Sequence, residues 1–435
     1  MPAAPFRRPN ARSTYLVVSQ VYVPDPASVG QHMHDAAREL ARRGHRVIVY
    51  TSGRGYEDPS RRYPRREIVD GVEVRRLPLA SFGKSSLATR AAGGLSFLAQ
   101  AILRGLFVRR LAGVLVTTSP PMGSLAGLVL RRLRGAALTF WVMDVNPDQA
   151  VVTGRVRRGS LGARLLERSN RAAARAARRV VFLDRFMAER VGRRWGAGER
   201  GAVLPPWPHD DHLEAVPHAE NPFRRRLGLP ARDEAERVIM YSGNMSPVHP
   251  LTTVLEAARE LDGTPGLSFL FVGGGAGKRE VEDLVARHRL GNARVLPYQP
   301  LAELRFSLSA ADVHLVTMGD DMVGIVHPSK VYGALRVARP VLFVGPAESH
   351  VGEILRASGA GWQVDQGDVA GLVARVREIA ALPAAELERR GRLAAAQVEA
   401  RFSKAHLCGR FCDLVEGRDG ALSESNPIAS PGCSP

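Results

Sequence analysis

Residues 15–51, YLVVSQVYVPDPASVGQHMHDAARELARRGHRVIVYT, decide the fold. Tyr15 to Gln20 is a short β-branched and apolar run, which reads as a strand. A loop rich in proline and glycine continues through Gly30, and His32 to Arg43 then reads as a helix with Ala36, Ala37, Leu40 and Ala41 on one face. Gly44 ends that helix, and Arg46 to Thr51 is the next strand. Strand, loop, helix and strand form a βαβ unit, from which a parallel sheet follows.

The pattern repeats outward from this unit. Val72 to Leu77, Gly113 to Thr117, Ala137 to Val142 and Arg179 to Leu183 are further strands, with helical patterns between several of them. Residues 14–204 therefore read as one doubly wound α/β domain. Pro205, Pro206, Pro208 and Pro217, set among charged residues, mark 205–232 as an interdomain linker. A second α/β series fills 233–400, with strands at Arg237 to Tyr241, Ser268 to Val272, Ala293 to Leu296, Val313 to Val316, Val341 to Val344 and Gly361 to Val364. A helix over 401–416 follows, and the basic start (1–13) and polar end (417–435) are expected to be disordered. Two such halves around a hinge are expected to bring the carboxyl ends of their strands to face each other across a ligand cleft.

Composition narrows the class. A chain of 435 residues, 45% hydrophobic, has enough apolar surface for full cores and is neither fibrous nor disordered. Three cysteines, Cys408, Cys412 and Cys433, suit neither a disulfide framework nor a zinc site, and Cys408 and Cys412 share a helix face as core thiols. With no secretory signal in view, a reducing, cytoplasmic compartment is expected. The net charge of +18 calls for an anionic partner. The arginines are scattered along helices without interleaved aromatics, so nucleic acid is not that partner. Lysines are few, Lys84, Lys278, Lys330 and Lys404, and each is worth locating. Leu95 to Val108, interrupted by Gln100 and Arg104, is too polar to span a bilayer; with Arg109 and Arg110 it is read either as a peripheral contact with an anionic membrane or as an amphipathic helix on the sheet.

Three strand-end segments carry chemistry. In His327 to Leu335, HPSKVYGAL, Pro328 suits the first helical position, so Ser329 and Lys330 would offer a hydroxyl, free N–H groups and an ammonium to a phosphate. The plain alternative is a helix start with a solvated lysine. In Tyr241 to Leu251, YSGNMSPVHPL, Gly243 and Asn244 permit an unusual turn where a nucleotide approaches. Phe271 to Gly277, FVGGGAG, ends another strand in the same way. His32 and His34 lie beside the first glycine loop, either touching an acceptor or serving the helix start. Tyr298 either packs near a nucleobase or belongs to the core.

Taken in order, VPDPASVGQHMHDAARELARRGHRVIVYTS, WVMDVNPD, SGNMSPVHP, VGGG, VLPYQPLAEL and PSKVYGALRVARPVL resemble the retaining glycosyltransferases of family 4, of the GT-B fold, especially bacterial members that build polysaccharide or lipid-linked sugars. The resemblance covers Tyr15 to Val415. It implies two Rossmann-like domains, with the C-terminal helix crossing back to the first. It also implies hexosyl transfer, with retention, from a nucleotide diphosphate sugar, by family habit a UDP-sugar. The acceptor would be a hydroxyl of a lipid-linked saccharide, a glycolipid or a specialised metabolite. By resemblance Gly30, Gly243, Asn244, His249, Gly274, Tyr298, Pro328, Ser329 and Lys330 bind the donor, and Asp144 and His32 belong to the acceptor side.

The departures redistribute charge. Relatives carry an arginine and a lysine in the segment corresponding to Asn244 and His249; without them, Lys330 is the cation left to offset the departing diphosphate. Two glutamates of relatives correspond to Asp321 and Gly333 here, and Met143 stands where a histidine often precedes Asp144. Lys330 and Asp144 are accordingly the expected catalytic residues, with no metal and no cofactor beyond the co-substrate. No spaced carboxylate pair supports a hydrolase scheme. A sugar-nucleotide epimerase of the same fold is the alternative, though no carboxylate and histidine set for proton transfer can be assembled.

Overall fold

The structure, a computed structural model, describes residues 13–25, 27–55, 60–78, 80, 87–208, 213–229 and 236–418. Most of the two expected tails, together with Lys84 and Cys433, lies outside these residues. The chain divides into two compact units, Met1–His209 with Lys404–Pro435, and Asp210–Ser403.

The first unit is built on eight strands: β1 Thr14–Val18, β2 Arg46–Ser52, β3 Arg66–Val69, β4 Val72–Leu77, β5 Leu111–Thr117, β6 Ala137–Val142, β7 Arg179–Phe182 and β8 Gly201–Val203. Their order is β3-β4-β2-β1-β5-β6-β7-β8, parallel except for the β3–β4 pair. Central strands such as β1 and β6 are buried along their whole length, as a parallel sheet covered on both faces requires. Helix α1, Ser28–Arg42, lays Met33, Ala36, Ala37 and Leu40 against this sheet. It begins earlier than its apolar spacing indicates, so Gly30 lies inside its first turn rather than in the preceding loop. A Cβ there would stand 3.0 Å from the Tyr22 Cα, and the glycine is what lets helix and loop backbones touch. Helices α2, Leu87–Gly105, and α3, Gly123–Arg134, follow in the same unit.

The C-terminal helix, Lys404–Glu416, packs into this first unit. Arg43 donates to Asp413 at 2.7 Å and to Glu416 at 2.6 Å, and His45 Nε2 lies 2.5 Å from the other Glu416 oxygen. Phe411 meets Trp141 with ring centroids 4.1 Å apart, and Cys408 and Cys412 are buried as free thiols. The return of the chain to its first domain is thus held by a buried carboxylate and an aromatic contact.

The second unit holds β9 Arg237–Asn244, β10 Leu267–Gly274, β11 Ala293–Leu296, β12 Val313–Thr317, β13 Val341–Val344 and β14 Gly361–Val364, all parallel in the order β11-β10-β9-β12-β13-β14. The expected linker is not an open tether. Trp207 is buried in the first unit, donating to Asp35 at 2.9 Å. In the second unit Asn221 caps the helix Pro222–Leu227, accepting from the Phe223 N–H at 2.9 Å, and the fully buried Arg224 donates to the Ala310 carbonyl at 2.7 Å. Pro222 opens that helix as its first residue.

Candidate active site

In an open parallel sheet the ligand end is where the strands finish, and in the second unit β9 and β10 finish side by side. Gly243 pairs with Gly273 and Asn244 with Gly274. The Met245 N–H donates to the Gly274 carbonyl at 2.6 Å, which ties the two loops together. Gly275, at φ +110, is required here, because a Cβ on it would stand 1.9 Å from Asn244 Oδ1. Gly243, at φ +138, serves a different neighbour: a Cβ on it would stand 2.7 Å from Cε of Lys330.

Lys330 begins the helix Lys330–Arg336, two residues later than the proline predicts. Pro328 precedes the helix, and Ser329 is the N-cap residue, with helical dihedrals and no side-chain capping bond. With only seven residues behind it, this helix offers a weak dipole, so the ammonium is the main attraction for an anion. That ammonium lies 5.2 Å from the centroid of the Tyr241 ring, whose hydroxyl donates to the Asn244 carbonyl at 2.6 Å. Among the described residues no carboxylate lies within ion-pairing distance of it, whereas Lys278 pairs with Glu282 and Lys404 with Asp35. The side chain keeps some contact with solvent. Its crowded surroundings still strip enough water to lower the ammonium from 10.5 to about 7.

His249 stands beside it without adding charge. Its Nδ1 donates to the Thr317 carbonyl at 2.8 Å, which leaves Nε2 as the bare acceptor of a neutral ring. Burial, reinforced by the Lys330 charge, holds the imidazole well below its ordinary titration range. Tyr298 is no core residue: it is 42% exposed, and its ring covers Gly274, where a Cβ would come within 2.7 Å. On the Lys330 helix, the Tyr332 hydroxyl sits between His327 Nε2 at 2.9 Å and His350 Nε2 at 2.7 Å.

The first unit carries its own strand-end group. Asp144 follows β6, and Thr118 Oγ1, just past β5, accepts from the Met143 and Asp144 N–H groups at 3.1 and 3.0 Å. Among the described residues the Asp144 carboxylate has no hydrogen-bond or ion-pair partner, and desolvation lifts it from 3.8 to about 6. His32, expected on the acceptor side, is instead 1% exposed. Its ring nitrogens lie 2.9 Å from the Ser28 and Trp207 carbonyls, and burial lowers it to about 4. Both nitrogens are used by the fold, so His32 is a structural histidine here. His34 is likewise engaged, with Tyr22 at 3.0 Å and Asp70 at 2.9 Å.

Residues 28–207 match the family of glycosyl transferase 4-like domains, and residues 229–397 match the glycosyl transferases group 1. The chain belongs to the GT-B glycosyltransferases. The putative colanic acid biosynthesis glycosyl transferase WcaI of Escherichia coli (strain K12) is 26% identical over 422 residues, 92% of this chain and 99% of that protein. The probable glycosyltransferase WbjE of Pseudomonas aeruginosa is 27% identical over 310 residues, 70% of this chain and 76% of that protein. Among solved structures, HepE of Anabaena in complex with UDP-glucose superposes with a TM-score of 0.68 at 13% identity, covering 93% of this chain and 99% of that one.

The transferase therefore gathers Gly243, Asn244, Gly274, His249, Tyr298, Ser329 and Lys330 in one unit, while Gly30, His32 and Asp144 belong to the other. Sequence reasoning missed Tyr241, the ring beneath the ammonium, although it opens the YSGN segment. It also missed Thr118 and Thr317, which orient Asp144 and His249. Nothing in an isolated threonine announces such a role. Asp321, one of the two positions where relatives carry glutamate, is exposed, and Gly333 packs near Leu308 inside the helix.

Proposed function

We propose that this glycosyltransferase takes its sugar from a UDP-sugar and adds it, with retention, to a hydroxyl of a lipid-linked saccharide during polysaccharide assembly. One observation carries the donor half of this reading: a lysine without a carboxylate partner among the described residues, partly stripped of water, at strand ends where two glycine loops meet. Such an ammonium gains most from an anion that restores its charge, and a sugar diphosphate brings that anion and sheds it as the glycosidic bond breaks. Lys330 stabilises the departing diphosphate, supplying the charge that a metal ion gives other transferases. Ser329 and the loop N–H groups orient the phosphates, Tyr298 covers the base, and Asn244 borders the sugar. Asp144, a carboxylate with no partner among the described residues, orients the acceptor hydroxyl.

The UDP-sugar assignment draws on HepE, whose structure holds UDP-glucose, and the polysaccharide assignment on WcaI, named for colanic acid biosynthesis. No helix among the described residues is long and apolar enough to cross a membrane, so contact with a membrane-borne acceptor is peripheral in this reading. The test is a thermal-shift panel of UDP, ADP, GDP and dTDP and their glucose conjugates. A melting-temperature rise confined to the uridine members supports the donor, an equal rise with all diphosphates removes the base preference, and no rise with any removes the reading.

A further inference from the structure

Three strands of the first unit lay a row of side chains across one sheet face. Tyr50 on β2 pairs with Arg75 on β4, and Arg75 pairs with Arg66 on the edge strand β3. With Arg104, Phe107 and Val108 they line an open groove of about 390 Å³. Charge in this groove is unbalanced. Glu73 serves both Arg46, at 2.6 Å, and Arg75, at 2.7 Å, and among the described residues Arg66 and Arg104 have no carboxylate partner. The Arg75, Arg104 and Arg46 guanidiniums all act on the Tyr50 hydroxyl, which places them around one point.

Beside the groove runs an apolar stripe that a solvated helix would not keep. Leu95 and Leu103 on α2 are 56% and 60% exposed, Phe107 on the groove rim is 83% exposed, and Ile68, two residues along β3 from Arg66, is 75% exposed. Arg109 and Arg110 follow directly and are exposed. A soluble phosphate compound would account for the guanidiniums but not for the apolar rim. Cations facing an apolar stripe suit a surface that is anionic above and hydrocarbon below.

We propose that the Arg66–Arg75–Arg104 groove binds the phosphate of an anionic phospholipid headgroup, with Phe107 and Leu103 entering the acyl boundary. This rests on the reading of the acceptor as membrane-borne and adds the site through which the enzyme reaches it. The test is co-sedimentation of the full chain with phosphatidylcholine vesicles, with and without phosphatidylglycerol. Each guanidinium near the surface is worth about fivefold in partition, so R66Q/R104Q should lose roughly 25-fold on the anionic vesicles. F107S should lose binding without changing its salt dependence. Leu161 and Leu165, 85% and 55% exposed on the helix Leu161–Ala176, provide the control, and R164Q/R168Q beside them should bind as wild type. Undiminished binding by R66Q/R104Q, or an equal loss in R164Q/R168Q, overturns the proposal. So does inorganic phosphate that stabilises the wild type and not R66Q/R104Q while vesicle binding stays equal. UDP-glucose affinity, measured alongside, reports on the transferase reading separately: normal affinity with unchanged vesicle binding sinks the headgroup site alone.

Discussion

If Lys330 holds the donor diphosphate, donor binding is linked to proton uptake. In the free protein the ammonium loses its proton near pH 7, because desolvation disfavours the charged form. A bound diphosphate supplies the opposite charge and returns the group toward its ordinary 10.5. Below pH 7 the lysine is already charged and binding takes up no proton. Above it, each pH unit lowers affinity by up to tenfold until the bound lysine itself titrates. From pH 6 to pH 9 the free ammonium falls from nearly full to about one part in a hundred, so affinity should drop by roughly 90-fold, about 2.7 kcal/mol. Because the side chain keeps some solvent contact, that figure is a ceiling. The assay is calorimetric titration with UDP-glucose, whose diphosphate is a diester and carries no phosphate that titrates in this range. In Lys330→Met the slope should vanish, and affinity at pH 6 should be about 30-fold weaker for loss of one charged hydrogen bond of ~2 kcal/mol. A wild-type dissociation constant that stays level from pH 6 to pH 9, or a Met variant with the same slope, refutes the linkage.

Three further outcomes follow from other contacts. Gly243→Ala places a Cβ 2.7 Å from Lys330 Cε at φ +138, so it should weaken UDP-glucose binding at least tenfold and destabilise the fold by about 1–3 kcal/mol, read by calorimetry and by urea unfolding. Asp144→Asn should leave donor affinity intact and depress transfer. Since the folded carboxyl titrates at about 6, above its ordinary 3.8, wild-type stability grows as pH falls through 6; the Asn variant should be more stable by about 3 kcal/mol at pH 8, the difference closing near pH 4 in unfolding curves. Glu416→Ala strands Arg43 and His45 beside an emptied buried site and should cost about 3–5 kcal/mol of unfolding free energy, with UDP-glucose affinity per folded molecule unchanged.

The regular part of the fold was legible because it rests on burial. Strands buried along their whole length, such as β6 and β13, are nearly continuous apolar runs, and their bounds agree with the reading of the sequence residue for residue. The strands that escaped, β3 and β8, carry no such run: β3 is REIV, an antiparallel edge alternating between exposed and half-buried residues, and β8 is three residues long. Packing within the linker escaped for the converse reason. Proline and charge mark a break in regular structure without saying whether Trp207 or Arg224 is buried, and both are, through partners 172 and 86 residues away.

The site divides along the same line. Glycines and a lysine at strand ends are local facts, and the structure brings them together; protonation states are not local. The missing arginine and lysine of relatives made Lys330 the expected permanent cation. Yet the contacts that bring it to the site, the Gly243 backbone and the Tyr241 face, also take away the water that would keep it charged. His249, standing in a cationic position, is held neutral by the same burial. A relative with two fixed cations there would hold its nucleotide alike at pH 6 and pH 9. A chain that relies on one desolvated lysine obtains its charge with the ligand's arrival and surrenders it once the diphosphate leaves, so association should slow as pH rises from 7 to 9 while release stays level, measured by stopped-flow binding of a fluorescent UDP-sugar analogue. An association rate that stays the same across that range would mean the ammonium remains charged in the empty site, and the compensation would then lie in the backbone donors instead.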